Sequence, residues 1–130
     1  MESAANSKTA IRPFFQIMPG IELMSDGDPE MRRLLWFLLG GKRGGENRAR
    51  IIQILRARPK NINQLANELD LQYKAVQHHV RVLVSSSLLV SSGERYGTVF
   101  MLSPWFERHM EVFDEVCEKI GFDKNLVGLQ

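Results

Sequence analysis

The chain has 130 residues, 44% of them apolar, with Cys117 as the sole cysteine and a formal net charge of +2. That length suits one domain with added terminal elements. A lone cysteine excludes an internal disulfide, and the longest apolar run, Leu34 to Leu39, is far short of the roughly 20 residues that span a bilayer. The charge is segregated: residues 40–103 carry +6, whereas residues 1–39 carry −1 and residues 104–130 carry −3. A basic centre between acidic ends is the footprint expected of a polyanion binder. The N-terminus, MESAANSKTA, lacks the basic-then-apolar order of a secretory signal, so a cytoplasmic location is the default expectation.

Residues 1–27 read as a weakly structured segment with scattered apolar side chains between Pro13, Pro19, Gly20 and Gly27. Asp28-Pro29-Glu30 reads as a helix start, with Asp28 as cap and Pro29 at the first helical position. This helix runs to Leu39 and stops at Gly40-Gly41. Its second half is apolar all round and should be buried on several sides. The next segment, Gly40-Gly41-Lys42-Arg43-Gly44-Gly45, is a glycine-rich basic loop without the Gly-Lys-Ser/Thr ending of a phosphate-cradling P-loop. It reads instead as a hinge that carries Lys42 and Arg43 to DNA phosphates.

An amphipathic helix follows from Glu46 to Arg58, with Ile51, Ile52, Ile54 and Leu55 as its core side and Pro59 as its stop. Asn61 or Asn63 can cap the next helix, which ends near Leu69. Its Leu65, Ala66 and Leu69 share one side, and small Ala66 suits a steep helix crossing. Asp70-Leu71 breaks the chain. In the helix over 72–85, Val76, His79, Val80 and Leu83 form the inner stripe. Lys74, Gln77, His78 and Arg81 form the outer one, and every member donates hydrogen bonds. The pair is a helix-turn-helix whose second helix suits a DNA major groove.

Two strands, over 88–92 and 98–102, flank a turn at Gly93-Glu94-Arg95-Tyr96-Gly97. A hairpin placed directly after a recognition helix is a wing, with Arg95 at its tip in reach of a phosphate or the minor groove. Ser103-Pro104 then starts a last helix that runs unbroken to Gly121. Along it Phe106, Met110, Phe113, Cys117 and Ile120 alternate at spacings of three and four, a coiled-coil-like seam. Such a seam needs a cover, and the 29–39 helix offers one in the same or another subunit.

The expected fold class is therefore α+β, mainly α: a winged helix-turn-helix over 40–103 with a two-stranded wing, an added N-terminal helix over 28–39, and a C-terminal dimerisation helix and tail over 104–130. Residues 40–103 resemble the winged-helix regulators of the arsenic-repressor (ArsR-like) superfamily, in particular its archaeal branch. The resemblance rests on GGKRGGENRARIIQIL, NQLANELDLQYKAVQHHVRVL and LLVSSGERYGTVFMLS. It implies a homodimeric transcriptional regulator of double-stranded DNA that dimerises through its terminal helices. It places Tyr73, Lys74, Gln77, His78 and Arg81 on the DNA-facing side and Arg95 in the wing. The dimer interface expected from the terminal helices comprises Leu35, Trp36, Leu39, Phe106, Met110, Phe113, Cys117 and Ile120.

The chain departs from the family pattern at three places. Asp70 and Ser87 stand where glycine is usual, and no cysteine motif precedes the recognition helix, so the resemblance does not extend to metal sensing. His78 and His79 are adjacent and point about 100° apart on a helix, a poor arrangement for a shared ion. His79 reads as a buried histidine, either hydrogen-bonded to backbone or helping to fix the recognition helix. His109 and Cys117 are too few for structural zinc, and Cys117 reads as a core residue. No nucleophile or hydrolase motif is present, so an enzyme is not expected, and nothing in the sequence calls for a cofactor, a membrane partner, or a metal or small-molecule effector. Two other classes also fit a winged helix: a protein-docking module, which has no need of a basic centre, and an architectural DNA binder, which would lack sequence preference.

Overall fold

The computed structural model describes residues 28–40, 43–93 and 97–122. Residues 1–27, expected to be weakly structured, Lys42, Arg95, expected at the wing tip, and the residues beyond 122 lie outside them, as does the side chain of Asp28. Six helices and one hairpin make up the described chain: α1 (Asp28–Leu39), α2 (Gly45–Ala57), α3 (Ile62–Leu69), α4 (Tyr73–Ser85), β1 (Leu89–Ser92), β2 (Val99–Leu102), α5 (Pro104–Glu107) and α6 (Met110–Ile120). This is a mostly helical winged helix-turn-helix with a two-stranded antiparallel sheet. No helix of the described residues is long and apolar enough to cross a membrane.

Local chemistry sets the boundaries. Asn61 caps α3 in a reciprocal box: its side chain accepts from the Gln64 amide at 2.8 Å, and the Gln64 side chain accepts from the Asn61 amide at 2.8 Å. Ser103 caps α5 by accepting from the Phe106 amide at 3.1 Å, with Pro104 in the first turn. Asp70 ends α3 in the left-handed conformation at φ 57°, and Ser87 takes φ 68° just before β1. The two glycine departures in the sequence thus occupy the two left-handed non-glycine positions of the described chain.

One core runs through the domain. It gathers Ile51, Ile52 and Leu55 of α2, Leu65 and Leu69 of α3, Val76, Val80 and Leu83 of α4, and Leu88, Leu89 and Leu102 around the hairpin. Ala66 is buried on the same side of α3 as Leu65 and Leu69. In the hairpin Leu89 pairs with Leu102 and Ser92 with Val99. Beyond it, Lys60 bridges to Phe100 on the other edge of β2, by amide-to-carbonyl bonds of 3.2 and 2.8 Å. The segment after Pro59 therefore anchors the base of the wing.

Two expectations are corrected. The last helix is broken at Arg108-His109. The ring Nδ1–H of His109 donates to the Trp105 carbonyl at 2.8 Å, the acceptor that its own backbone amide would take in a continuous helix, and that amide turns to the Phe106 carbonyl instead. The second correction concerns the seam. Helices α1 and α6 pack side by side within one chain, so Leu35, Leu39, Phe106, Phe113 and Cys117 are all buried without a second subunit. Phe106 and Phe113 meet edge to face with ring centroids 5.9 Å apart. Arg32 pairs with Glu115 across the α1–α6 contact, and Arg56 makes a bidentate pair with Asp114 at 2.9 and 3.0 Å that ties α2 to α6. Of the expected interface residues, Trp36 stays exposed at 40%, while Met110 and Ile120 are half-buried.

Candidate nucleic-acid interface

The recognition helix is α4. Its inner stripe, Val76, His79, Val80 and Leu83, is buried, which fixes the opposite face outward. Tyr73, Lys74, His78 and Arg81 are exposed and Gln77 is partly so. The helix thus gathers on one surface every α4 residue that sequence reasoning assigned to DNA. The side chains of Lys74 and Arg81 face solvent and make no ion pair or hydrogen bond among the described residues.

Arg43 is likewise exposed and unpaired, in the glycine-rich loop before α2. The neighbouring Gly44 places that loop against α4. It adopts φ 92°, and a β-carbon there would stand 2.6 Å from Cε1 of His79. At Gly45 a β-carbon would stand 2.1 Å from the Leu39 carbonyl oxygen. Only glycine fits between the end of α1 and the middle of the recognition helix.

His79 is buried at 9% exposure, as expected, and its Nδ1 takes no hydrogen bond. Burial, then the charges of Arg48 and His78, hold its pKa below the ordinary histidine value, so the ring is neutral near pH 7. Arg48 donates from Nη1 to the Leu38 carbonyl at 2.8 Å, which fastens α2 to the end of α1.

The basic centre is less free than its charge count implies. Arg56 is spent on Asp114, Lys60 on Glu68 at 2.7 Å, and Arg48 on a carbonyl. Arg58, exposed at the end of α2 with no side-chain partner among the described residues, is a cation that the sequence reading did not single out. Its only signal was its place between Arg56 and Lys60, which pair elsewhere.

Among the described residues no group of three or more His, Cys, Asp or Glu is placed to hold a metal. His109 is buried against the Trp105 carbonyl. Cys117 is buried, and that burial, with Asp114 nearby, pushes its thiol up to about 12, far from the reactive thiolate range.

The fold and this surface define a winged helix-turn-helix protein with a donor-rich recognition helix. Residues 45–89, which span the helix-turn-helix and the approach to the wing, match the family model described as "Bacterial regulatory protein, arsR family". Among solved structures, the transcriptional regulator HlyU from Vibrio vulnificus CMCP6 aligns with 70% of this chain and 94% of its own, at a TM-score of 0.52 and 16% identity. A ZitR variant from Lactococcus lactis aligns over 75% of this chain and 78% of its own, at 0.49 and 15%. The adhesin competence repressor AdcR from Streptococcus pyogenes aligns over 85% and 90%, at 0.44 and 18%. No curated protein sequence matches the chain. The likeness to HlyU is one of fold.

Proposed function

We propose that the protein is a sequence-specific DNA-binding transcriptional regulator that acts as a homodimer, with α4 in the major groove. The observation that carries this reading is the outward row of α4. Lys74, Gln77, His78 and Arg81, with Tyr73 beside them, offer donors to base edges and phosphates, and the two cations have no partner among the described residues. The ArsR-type match over residues 45–89 supports the same reading. Arg43 serves as a phosphate contact from the loop beside α4. Lys42 and Arg95, outside the described residues, belong to the same proposed surface.

For the dimer, the outer side of α1 is the favoured contact. Trp36 and Phe37 are the most exposed large apolar side chains of the terminal helices, and Ile120 of α6 is half-buried beside Gly40. A two-fold pair would set two recognition helices about 34 Å apart, one DNA turn.

The test is selection of bound duplexes from a random pool, with affinity for the winning sequence measured across salt. A palindromic consensus and an affinity that falls steeply with salt are expected. Binding without sequence enrichment would point to an architectural role, and no binding at low salt would end the DNA reading.

A further inference from the structure

A groove of about 280 Å³ runs along the flank of the recognition helix. Its floor is apolar: Ile62 from α3, Val80 and Val84 from α4, and Phe100 from β2. Gln77 and Arg81, two members of the outward row, also line it. The Lys60–Phe100 bridge holds the β2 wall in place from the far edge of that strand, so the groove is part of the rigid frame.

The lining specifies the chemistry of an occupant. The volume lies near the lower end of ligand pockets and takes a molecule on the order of ten non-hydrogen atoms. The floor selects an apolar body. Arg81 is permanently cationic and has no carboxylate partner among the described residues, and a guanidinium fork matches a carboxylate in two parallel bonds. Gln77, one turn earlier, adds an amide donor. We infer that this groove binds a small organic carboxylate with an apolar body, and that its occupancy opposes DNA binding.

The opposition follows from shared groups. A guanidinium engaged in a bidentate carboxylate pair is not available to a phosphate or a base edge, and the bound body would lie beside the helix that enters the groove of DNA. This second half rests on the DNA-binding reading; the ligand site itself does not.

Octanoate is a suitable probe, with octanol and octylammonium as charge controls, titrated into the full chain while methyl resonances of Ile62 and Val84 are followed. Saturable shifts confined to the groove are expected, with octanoate binding about tenfold more tightly than either control. Val84→Phe and, from the opposite wall, Ile62→Phe should abolish the shifts while the rest of the spectrum reports an intact fold. Saturating octanoate should weaken binding to the selected duplex by about tenfold, and Val84→Phe should remove that effect but retain DNA binding. The site is overturned if octanoate gives no saturable shift, if octanol binds as well, or if the shifts survive in a folded variant of either wall. Octanoate binding without loss of DNA affinity would overturn the antagonism alone. If no duplex binds at all, the regulator reading fails, and the octanoate titration still decides the site.

Discussion

A charge placed on the outer side of α1 should separate association from folding, and the structure reassigns which residue to change. Phe113 is 1% exposed and packed against Phe106, so Phe113→Glu removes a buried ring and buries a carboxylate. Loss of the ring alone costs about 3–5 kcal/mol, and the unpaired charge adds several more. Against a total stability of about 5–15 kcal/mol, that variant should unfold rather than dissociate. Phe37, 63% exposed, is the informative position. Phe37→Glu should cost the folded chain far less than Phe113→Glu, because most of the Phe37 ring already faces solvent. In a two-fold interface the change is made twice, and each lost burial is worth about 1.5–3 kcal/mol. The dimer should therefore weaken by about a hundredfold or more. Sedimentation equilibrium over the micromolar range, paired with a thermal melt of each variant, reads both quantities. A Phe37→Glu protein that dimerises as tightly as the unmodified chain would refute the α1 contact, and an unmodified chain that is monomeric at tens of micromolar would refute the dimer.

On the recognition helix, Lys74→Ala and Arg81→Ala should each weaken DNA binding by about 1–3 kcal/mol where they reach base edges; a phosphate-only contact would instead reduce the salt slope by about one unit. Unchanged binding in the double variant would contradict the placement of α4. His79 should make stability pH-dependent in a defined window. Above about pH 6.5 the ring is neutral both folded and unfolded; below it the unfolded chain takes up a proton that the folded site refuses, since the folded pKa is lowered. Stability should then fall as pH drops from 6.5 toward the folded pKa, by at most about 1.4 kcal/mol per pH unit. Denaturant melts of His79→Gln between pH 7 and 5 should lack that contribution, and an identical slope in both proteins would dismiss it. Ser87→Gly should stabilise the fold. Relief of a left-handed serine at φ 68° is worth about 1–2 kcal/mol, less about 0.5–1 kcal/mol for the extra freedom of glycine when unfolded. The net gain of about 0–1.5 kcal/mol should raise the melting temperature by up to roughly 8 °C, and a lowered one would show that the serine side chain holds something its backbone conformation does not reveal.

The features legible in the sequence were those set by neighbours along the chain. The Asn61 and Ser103 caps, the break at Asp70 and the two faces of α4 each depend on residues within one or two turns, and each stands where spacing placed it. Periodicity also marked the inner face of the last helix as apolar, whereas the second half of α1, read as buried on several sides, leaves Trp36 and Phe37 exposed. It could not say what covers that inner face, because the α1–α6 contact joins segments some eighty residues apart, and a seam awaiting a second chain looks the same as one closed within the first. The break at His109 escaped because it arises from a ring competing with its own backbone for the Trp105 carbonyl, which spacing does not register. The Lys60–Phe100 bridge is a single residue pair and has no period at all. For the binding surface, charge counting located the basic centre, but the long-range pair of Arg56 with Asp114 decides which cations are free.

The glycine pair ahead of α2 has a mechanical consequence. Gly44 abuts the His79 ring, and Gly45 abuts the backbone carbonyl of Leu39. Side chains that touch through flexible rotamers absorb a displacement; main chain set against an imidazole or another main chain has no such slack. A change in the tilt of α1, for whatever reason it occurs, therefore reaches the recognition helix undamped, through two contacts in series and over fewer than ten residues of chain. The end of α1 and the middle of α4 are thus joined through contacts that leave no room for a side chain on either glycine.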